Sequence, residues 1–379
     1  MRQLSTALWL LLGFNTVTQA QSVQYHSLKD SATVSTAATV VKDLPLLHTD
    51  QIWSTDIDTL WNRIEAILKR SHSELNQVVK CNLYASDAGK LASLQQSVAS
   101  RFEKGHVPAL CSVVTPLPDG CSYALDVVAV SKTEVNRVEL LEQDHTQISL
   151  MPAGKRIYIS GQAARDEDLK TASVKTLEGL LKTVEFLNRS QQDVVALKAF
   201  LTPMQKKQYV QQAVTEVFGR GEEPPLVLVD WKSSDTLPVE IEMIVWGGQS
   251  DKTQPVLEYL TPPELTSSPV FSRVCRVNSG ATCYLSGVSA PHANSESEVK
   301  QTFGLLQQVL ERVDSDMHHL VKATYYVTKG DVSASLGAVR KKVYNPERPP
   351  SASKATVETI SKSHPRFLMD MIAVPVKKQ

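Results

Sequence analysis

The apolar residues of this chain keep helical spacing in three places. In "TLWNRIEAILKRSHSELNQ" (59–77), Leu60, Ile64, Ile67 and Leu68 share one face. In "TASVKTLEGLLKTVEFLNR" (171–189), Val174, Leu177, Leu181 and Val184 do the same. In "ESEVKQTFGLLQQVLERV" (296–313) the stripe is Val299, Phe303, Leu306 and Leu310. Steps of three and four are the period of an amphipathic helix. Each helix precedes a lysine-bearing extended run: "VVKCNLYAS", "ALKAFLTP" and "LVKATYYVT". A second helix follows, then a strand entered through proline, "VPALCSVVT", "PPLVLVDW" and "PPSASKATVET". An apolar strand closes each set: "SYALDVVAV", "PVEIEMIVW" and "RFLMDMIAV".

These sets recur with a period of about 120 residues, and such a period must be read before any single motif. Lys80, Lys198 and Lys322 mark corresponding places, as do Asp126, Glu242 and Asp370. The pattern predicts an α+β protein of three tandem domains, each ordered β-β-α-β-α-β-β, over 21–135, 136–252 and 253–379. Polar stretches near 136 and 252 mark the boundaries. The first strand pair of the first domain is expected within 33–51, ahead of its helix.

In "PVEIEMIVW" one face carries Val239, Ile241, Met243 and Val245, and the other Glu240, Glu242, Ile244 and Trp246. The second face is apolar enough to need cover of its own. Residues 1–20 read differently: Arg2 precedes the apolar Ala7–Phe14 run, and small residues stand near Ala20. This is the pattern of a secretory signal peptide cleaved near Ala20, and it predicts an exported protein. No later run is long and apolar enough to span a membrane. Forty basic and forty acidic residues leave no net charge, so the composition offers no electrostatic footprint for nucleic acid. No phosphate loop, nucleophile elbow or Cys/His cluster occurs, and neither a cofactor nor a metal is expected. His292, His318 and His319 read as surface groups. In an oxidising compartment Cys275 and Cys283 are candidates to pair across a hairpin turning at Asn278-Ser279-Gly280, and Cys111 to pair with Cys121.

The order of elements, with Ile159-Ser160-Gly161-Gln162 after a strand and Val239-Glu240-Ile241-Glu242 closing the second set, resembles the RidA/YjgF/UK family of small imine deaminases. The third set keeps Ser286-Gly287 and the "NPERPP" loop, and the first has Thr49-Asp50-Gln51 where Ser-Gly-Gln would stand. The resemblance covers nearly the whole chain after residue 20. It implies chorismate-mutase-like domains, which form homotrimers in that family, and hence a monomeric, intramolecular pseudo-trimer here. It implies sites between domains, where an arginine holds the carboxylate of a 2-imino acid, a glutamate orients water and the Ser-Gly turn lines the pocket.

Carried over, the arginine position falls on Leu110, Leu226 and Lys354, and the glutamate position on Ala124, Glu240 and Leu368. No domain keeps both charged partners. The expected function is therefore binding of a small ligand or partner in inter-domain clefts with degenerate deaminase sites. Ser160, Gly161, Ser286 and Gly287 are the candidate lining. The alternative is a residual enamine or 2-imino acid deaminase in one cleft, using Lys354 and Glu240. It requires those two side chains to meet.

Overall fold

In a computed structural model, residues 23–27, 36–118, 120–328, 330–361 and 366–376 are described. The signal-peptide reading of residues 1–20 lies outside them. The first stretch holds β1 (Val23–Ser27), β2 (Thr36–Val41), β3 (Leu46–Thr49), β4 (Ile52–Ser54), α1 (Ile57–Arg70), β5 (Val78–Ala85), α2 (Ala88–Arg101), β6 (Ala109–Val114) and β7 (Tyr123–Val130). Next come β8 (Glu139–Gln143), β9 (Thr146–Met151), β10 (Arg156–Gln162), α3 (Leu169–Phe186), β11 (Val194–Leu201), α4 (Lys207–Phe218), β12 (Leu226–Asp230) and β13 (Val239–Trp246). The last are β14 (Leu257–Leu260), β15 (Val274–Val277), β16 (Thr282–Leu285), α5 (Ser295–Arg312), β17 (Leu320–Val327), α6 (Gly330–Val343), β18 (Ser351–Thr356) and β19 (Phe367–Ala373).

Four of the helices, α1, α2, α3 and α5, begin where a short polar side chain accepts from a free amide of the first turn. Asp56, Asp87, Asp168 and Asn294 accept from the backbone N–H of Thr59, Lys90, Thr171 and Ser297 respectively. Ahead of the first helix the second and third sets carry one strand more than the periodicity suggests, and the first set carries two more. The run before β10 is split into β8 and β9 by a tight turn at Asp144-His145. Both residues have positive φ (48° and 59°), as a two-residue hairpin turn demands.

Three sheets result, with strand orders β6-β5-β7-β3-β9-β8, β12-β11-β13-β10-β15-β14 and β18-β17-β19-β16-β2-β1; β4 adds to β7. The leading hairpin of each set therefore leaves its own helices. β8–β9 joins the sheet of α1 and α2 through β3, β14–β15 joins that of α3 and α4 through β10, and β1–β2 joins that of α5 and α6 through β16. The sheets divide the chain at 152–155 and 278–281, whereas the sequence repeats divide it near 136 and 252.

This exchange overturns the expected disulfide between Cys275 and Cys283. Gly280, at φ +93°, turns the chain out of one sheet into another. β15 pairs with β10 and β14, and β16 pairs with β2 and β19, so the two cysteines do not face each other. Cys111 and Cys121 are also unpaired; all five cysteines are thiols.

Each sheet buries one face under its two helices. The cluster beneath α3 and α4 contains Val239, Ile241, Met243 and Val245, the face expected from alternation. The other faces of the three sheets meet one another. Val79, Val195, Val321, Trp246 and Ile372 belong to one shared cluster. Tyr84, Phe200, Tyr326, Ala124 and Leu368 belong to a second.

Candidate functional site

Strand register fixes which residues correspond between sheets. Asp126 stands opposite Asn82, Glu242 opposite Lys198, and Asp370 opposite Thr324. Lys80, Ala196 and Lys322 then occupy one equivalent position, and Asn82, Lys198 and Thr324 the next inward-facing one. Lys198 is thus displaced by two residues from the place the sequence spacing gave it. A strand alternates sides every residue, so a slip of two keeps the same face.

These groups surround a cavity of about 80 Å³ between the three sheets. Lys80 Nζ lies 2.6 Å from Asp370 Oδ1, and Lys322 Nζ lies 2.6 Å from Glu242 Oε1. Asp126 instead accepts from Asn82 Nδ2 at 2.8 Å and from Tyr84 Oη at 2.9 Å. Burial raises Asp370, but Lys80, Lys198 and Lys322 outweigh it and hold the carboxyl below its ordinary range. Burial keeps Asp126 raised, against the pull of Lys198. The Lys80–Asp370 and Lys322–Glu242 pairs each cross from one sheet to another, so removing one partner of either would leave a buried charge uncompensated.

A second, larger cavity of about 440 Å³ opens where the end of β10 meets β18. The β10–β13 ladder slips between Ile159 and Gln162, which turns Ser160 and Gly161 out of register. Their amides reach elsewhere: Ser160 N donates to Arg273 O at 2.9 Å, and Gly161 N donates to Ser353 Oγ at 3.0 Å. Gly161 is needed here because a Cβ would sit 2.1 Å from Glu240 Oε1. The Glu240 carboxylate therefore lies directly against this turn. Burial, and then Glu242, push its pKa up to about 7, against the Ser353 hydroxyl and Lys354, which lower it.

Lys354 lines the same cavity and donates from Nζ to Ser333 Oγ at 2.7 Å. Burial and the neighbouring Arg340 charge lower its pKa, and Glu240 raises it. Two lining cations were not expected from the motifs. Arg340, on α6, lies 5.1 Å over the Tyr325 ring, and its Nε has no hydrogen-bond partner among the described residues. Arg273 packs 4.8 Å over the Phe271 ring and donates from Nε to Thr266 O at 2.9 Å. Neither arginine stands in a family-like position, so only the fold reveals them.

Register corrects one assignment. Leu110 pairs with Cys81, and Leu226 with Leu197; the third equivalent is Ala352, opposite Ala323. Lys354 stands two residues further along β18, on the same side. The glutamate series keeps its register: Ala124, Glu240 and Leu368 pair with Tyr84, Phe200 and Tyr326.

The other two boundaries share this backbone plan with different side chains. Gly287 N donates to Leu110 O at 2.6 Å, and Ser286 Oγ accepts from Leu110 N at 3.0 Å. A Cβ on Gly287 would meet Leu368 Cδ1 at 3.0 Å, and the Ser286 hydroxyl donates to Thr36 O at 2.5 Å; neither residue lines the Glu240 cavity. At the third boundary Gln51 N donates to Leu226 O at 3.2 Å, and Asp50 Oδ1 accepts from Leu226 N at 2.6 Å. Here Trp53 lies opposite Ala124, with its Nε1 bonded to Gln51 Oε1 at 2.9 Å.

No family model matches the chain, and no curated protein matches it. Solved structures similar to parts of it belong to the YjgF/RidA group. One is a YjgF/YER057c/UK114 family member from Mycobacterium tuberculosis, 19% identical over 24% of this chain and 80% of that one, with a TM-score of 0.23. Another is a YjgF family protein from Neisseria meningitidis, 17% identical over 32% of this chain and 97% of that one, TM-score 0.25. A third is a Rid family protein from Yersinia pestis, 18% identical over 24% and 79%, TM-score 0.23. Among the described residues no helix is long and apolar enough to cross a membrane, and no cluster of His, Cys, Asp or Glu is placed to hold a metal ion.

Proposed function

We propose that this chain is an exported, intramolecular pseudo-trimer of three RidA-like units that binds a small carboxylic acid in one surviving cleft. The observation that carries the reading is the meeting of Glu240, Lys354 and Gly161 in one open cavity, while at the equivalent boundaries Leu368 packs against Gly287 and Trp53 stands opposite Ala124. Lys354 and Arg340 attract the carboxylate as charges at the same end of the cleft. Glu240, with a pKa near neutral, exchanges a proton with whatever group lies against the Gly161 turn.

A second reading is favoured by Glu240 itself. A carboxyl poised near pH 7 beside a cationic anchor suits hydrolysis of a 2-imino acid. Water adds to the imine carbon as Glu240 takes one of its protons and returns it to nitrogen, giving a carbinolamine. The carboxylate then takes the hydroxyl proton and passes it to the amine, so that the C–N bond breaks, ammonia leaves and the carbonyl forms. Titration with 2-oxobutyrate tests binding, and 2-iminobutyrate turnover tests catalysis. Lys354→Ala is expected to weaken binding about tenfold or more, the size of one charge-assisted contact. Wild-type protein that binds no carboxylate would end both readings. Binding without turnover would leave the first.

A further inference from the structure

We infer that the ligand of this cleft is a short-chain dicarboxylate; the inference rests on the carboxylate-binding reading above. Three cations line the cavity, Arg273, Arg340 and Lys354, against one carboxylate, Glu240. Among the described residues none of the three forms an ion pair with an acidic side chain within 4.0 Å. Elsewhere in the fold such groups are matched, as the lysine and carboxylate cluster between the sheets illustrates. A single carboxylate leaves the cleft with an uncompensated positive charge even when Glu240 is ionised. Two carboxylates bring it to balance.

The cations also form two poles. Arg340 and Lys354 come from α6 and β18, and each lies within the other's field. Arg273 comes from the segment leading into β15, which belongs to the sheet on the other side of the cleft. Its guanidinium is held there by Phe271 and by both polar atoms of Thr266 that reach it, the carbonyl at 2.9 Å and Oγ1 at 3.1 Å. Those bonds use Nε and Nη2 and leave Nη1 free of them. Leu265, Phe271 and Ala352 also line the cavity and supply apolar contact for a hydrocarbon spacer. Recognition by two fixed cationic ends and an apolar middle selects a molecule with an acid group at each end.

The test is isothermal titration of the full chain at low salt with glutarate and 2-oxoglutarate against butyrate and 2-oxobutyrate. The dicarboxylates are expected to bind at least about tenfold more tightly than their monocarboxylate counterparts, the worth of one added charge-assisted contact. Arg273→Gln should bring that ratio close to one, and Arg273→Lys should restore part of it, because charge returns without the fork. A thermal melt of each variant confirms folding. Equal affinity for the two classes in the wild-type protein overturns the inference and leaves the carboxylate site standing, and so does a ratio that survives Arg273→Gln. No binding of either class overturns both.

Discussion

The boundary between β10 and β18 and the boundary between β16 and β6 share one backbone plan. In each, a Ser-Gly turn at a strand end hydrogen-bonds to the edge strand of the next sheet. They differ at equivalent positions on both strands: Glu240 against Leu368, and Ser353 and Lys354 against Cys111 and Ser112. With glutamate the space stays open and cationic. With leucine the side chain closes on Gly287 and joins Tyr84, Cys111 and Tyr326 in a packed core. One backbone plan thus accommodates either a charged, open boundary or an apolar, packed one.

The sharpest way to break this comparison is to exchange the two residues' characters. Leu368→Ala should cost about 2–5 kcal/mol, as a buried leucine truncation does, read by chemical denaturation. Glu240→Leu should abolish carboxylate binding and leave stability unchanged or raise it by about 1–4 kcal/mol at pH 8, because a desolvated charge is replaced by an apolar group. A large loss of stability in Glu240→Leu would mean the carboxylate is a structural element and the open cleft is no site.

A smaller effect is expected at the turns. Gly161→Ala places a methyl where Glu240 Oε1 now lies, so the carboxylate must move. Ligand affinity should fall severalfold or more with little change in melting temperature. Gly287→Ala meets only the flexible end of Leu368, and its effect should appear as stability alone.

The smallest effect concerns pH. Glu240 keeps its proton up to about 7 in the folded chain, against an ordinary 4.5. Between those values the folded state binds more protons than the unfolded one, so stability falls as pH rises through this window. Asp50, at the third boundary and also pushed up to about 7, chiefly by burial, acts in the same direction. Melting temperature should decline from pH 5 to 7.5, and Glu240→Gln should flatten part of that slope. An unchanged slope would place the titration at Asp50 or elsewhere.

Much of this was legible in the residues. The helical stripes of 59–77, 171–189 and 296–313 gave α1, α3 and α5, because burial of one face imposes a 3.6-residue period whatever the partner. Alternation in 238–246 assigned Val239, Ile241, Met243 and Val245 to the helix-covered face. The alternative deaminase reading requires Glu240 and Lys354 to meet; both line one cavity, with Lys354 two residues from the register equivalent of Leu110 and Leu226. Arg273 and Arg340 were missed, since one leads a strand and the other sits on a helix with no motif to mark either.

The elements, the recurrence of their pattern and the helix-facing side of strands such as 238–246 are written in the residues. These follow from local periodicity. Tertiary structure alone decided which hairpin completes which sheet, that Cys275 and Cys283 part company, and which of three like boundaries stays open. The reason is that strand partners, register and cavity filling depend on residues distant in the chain.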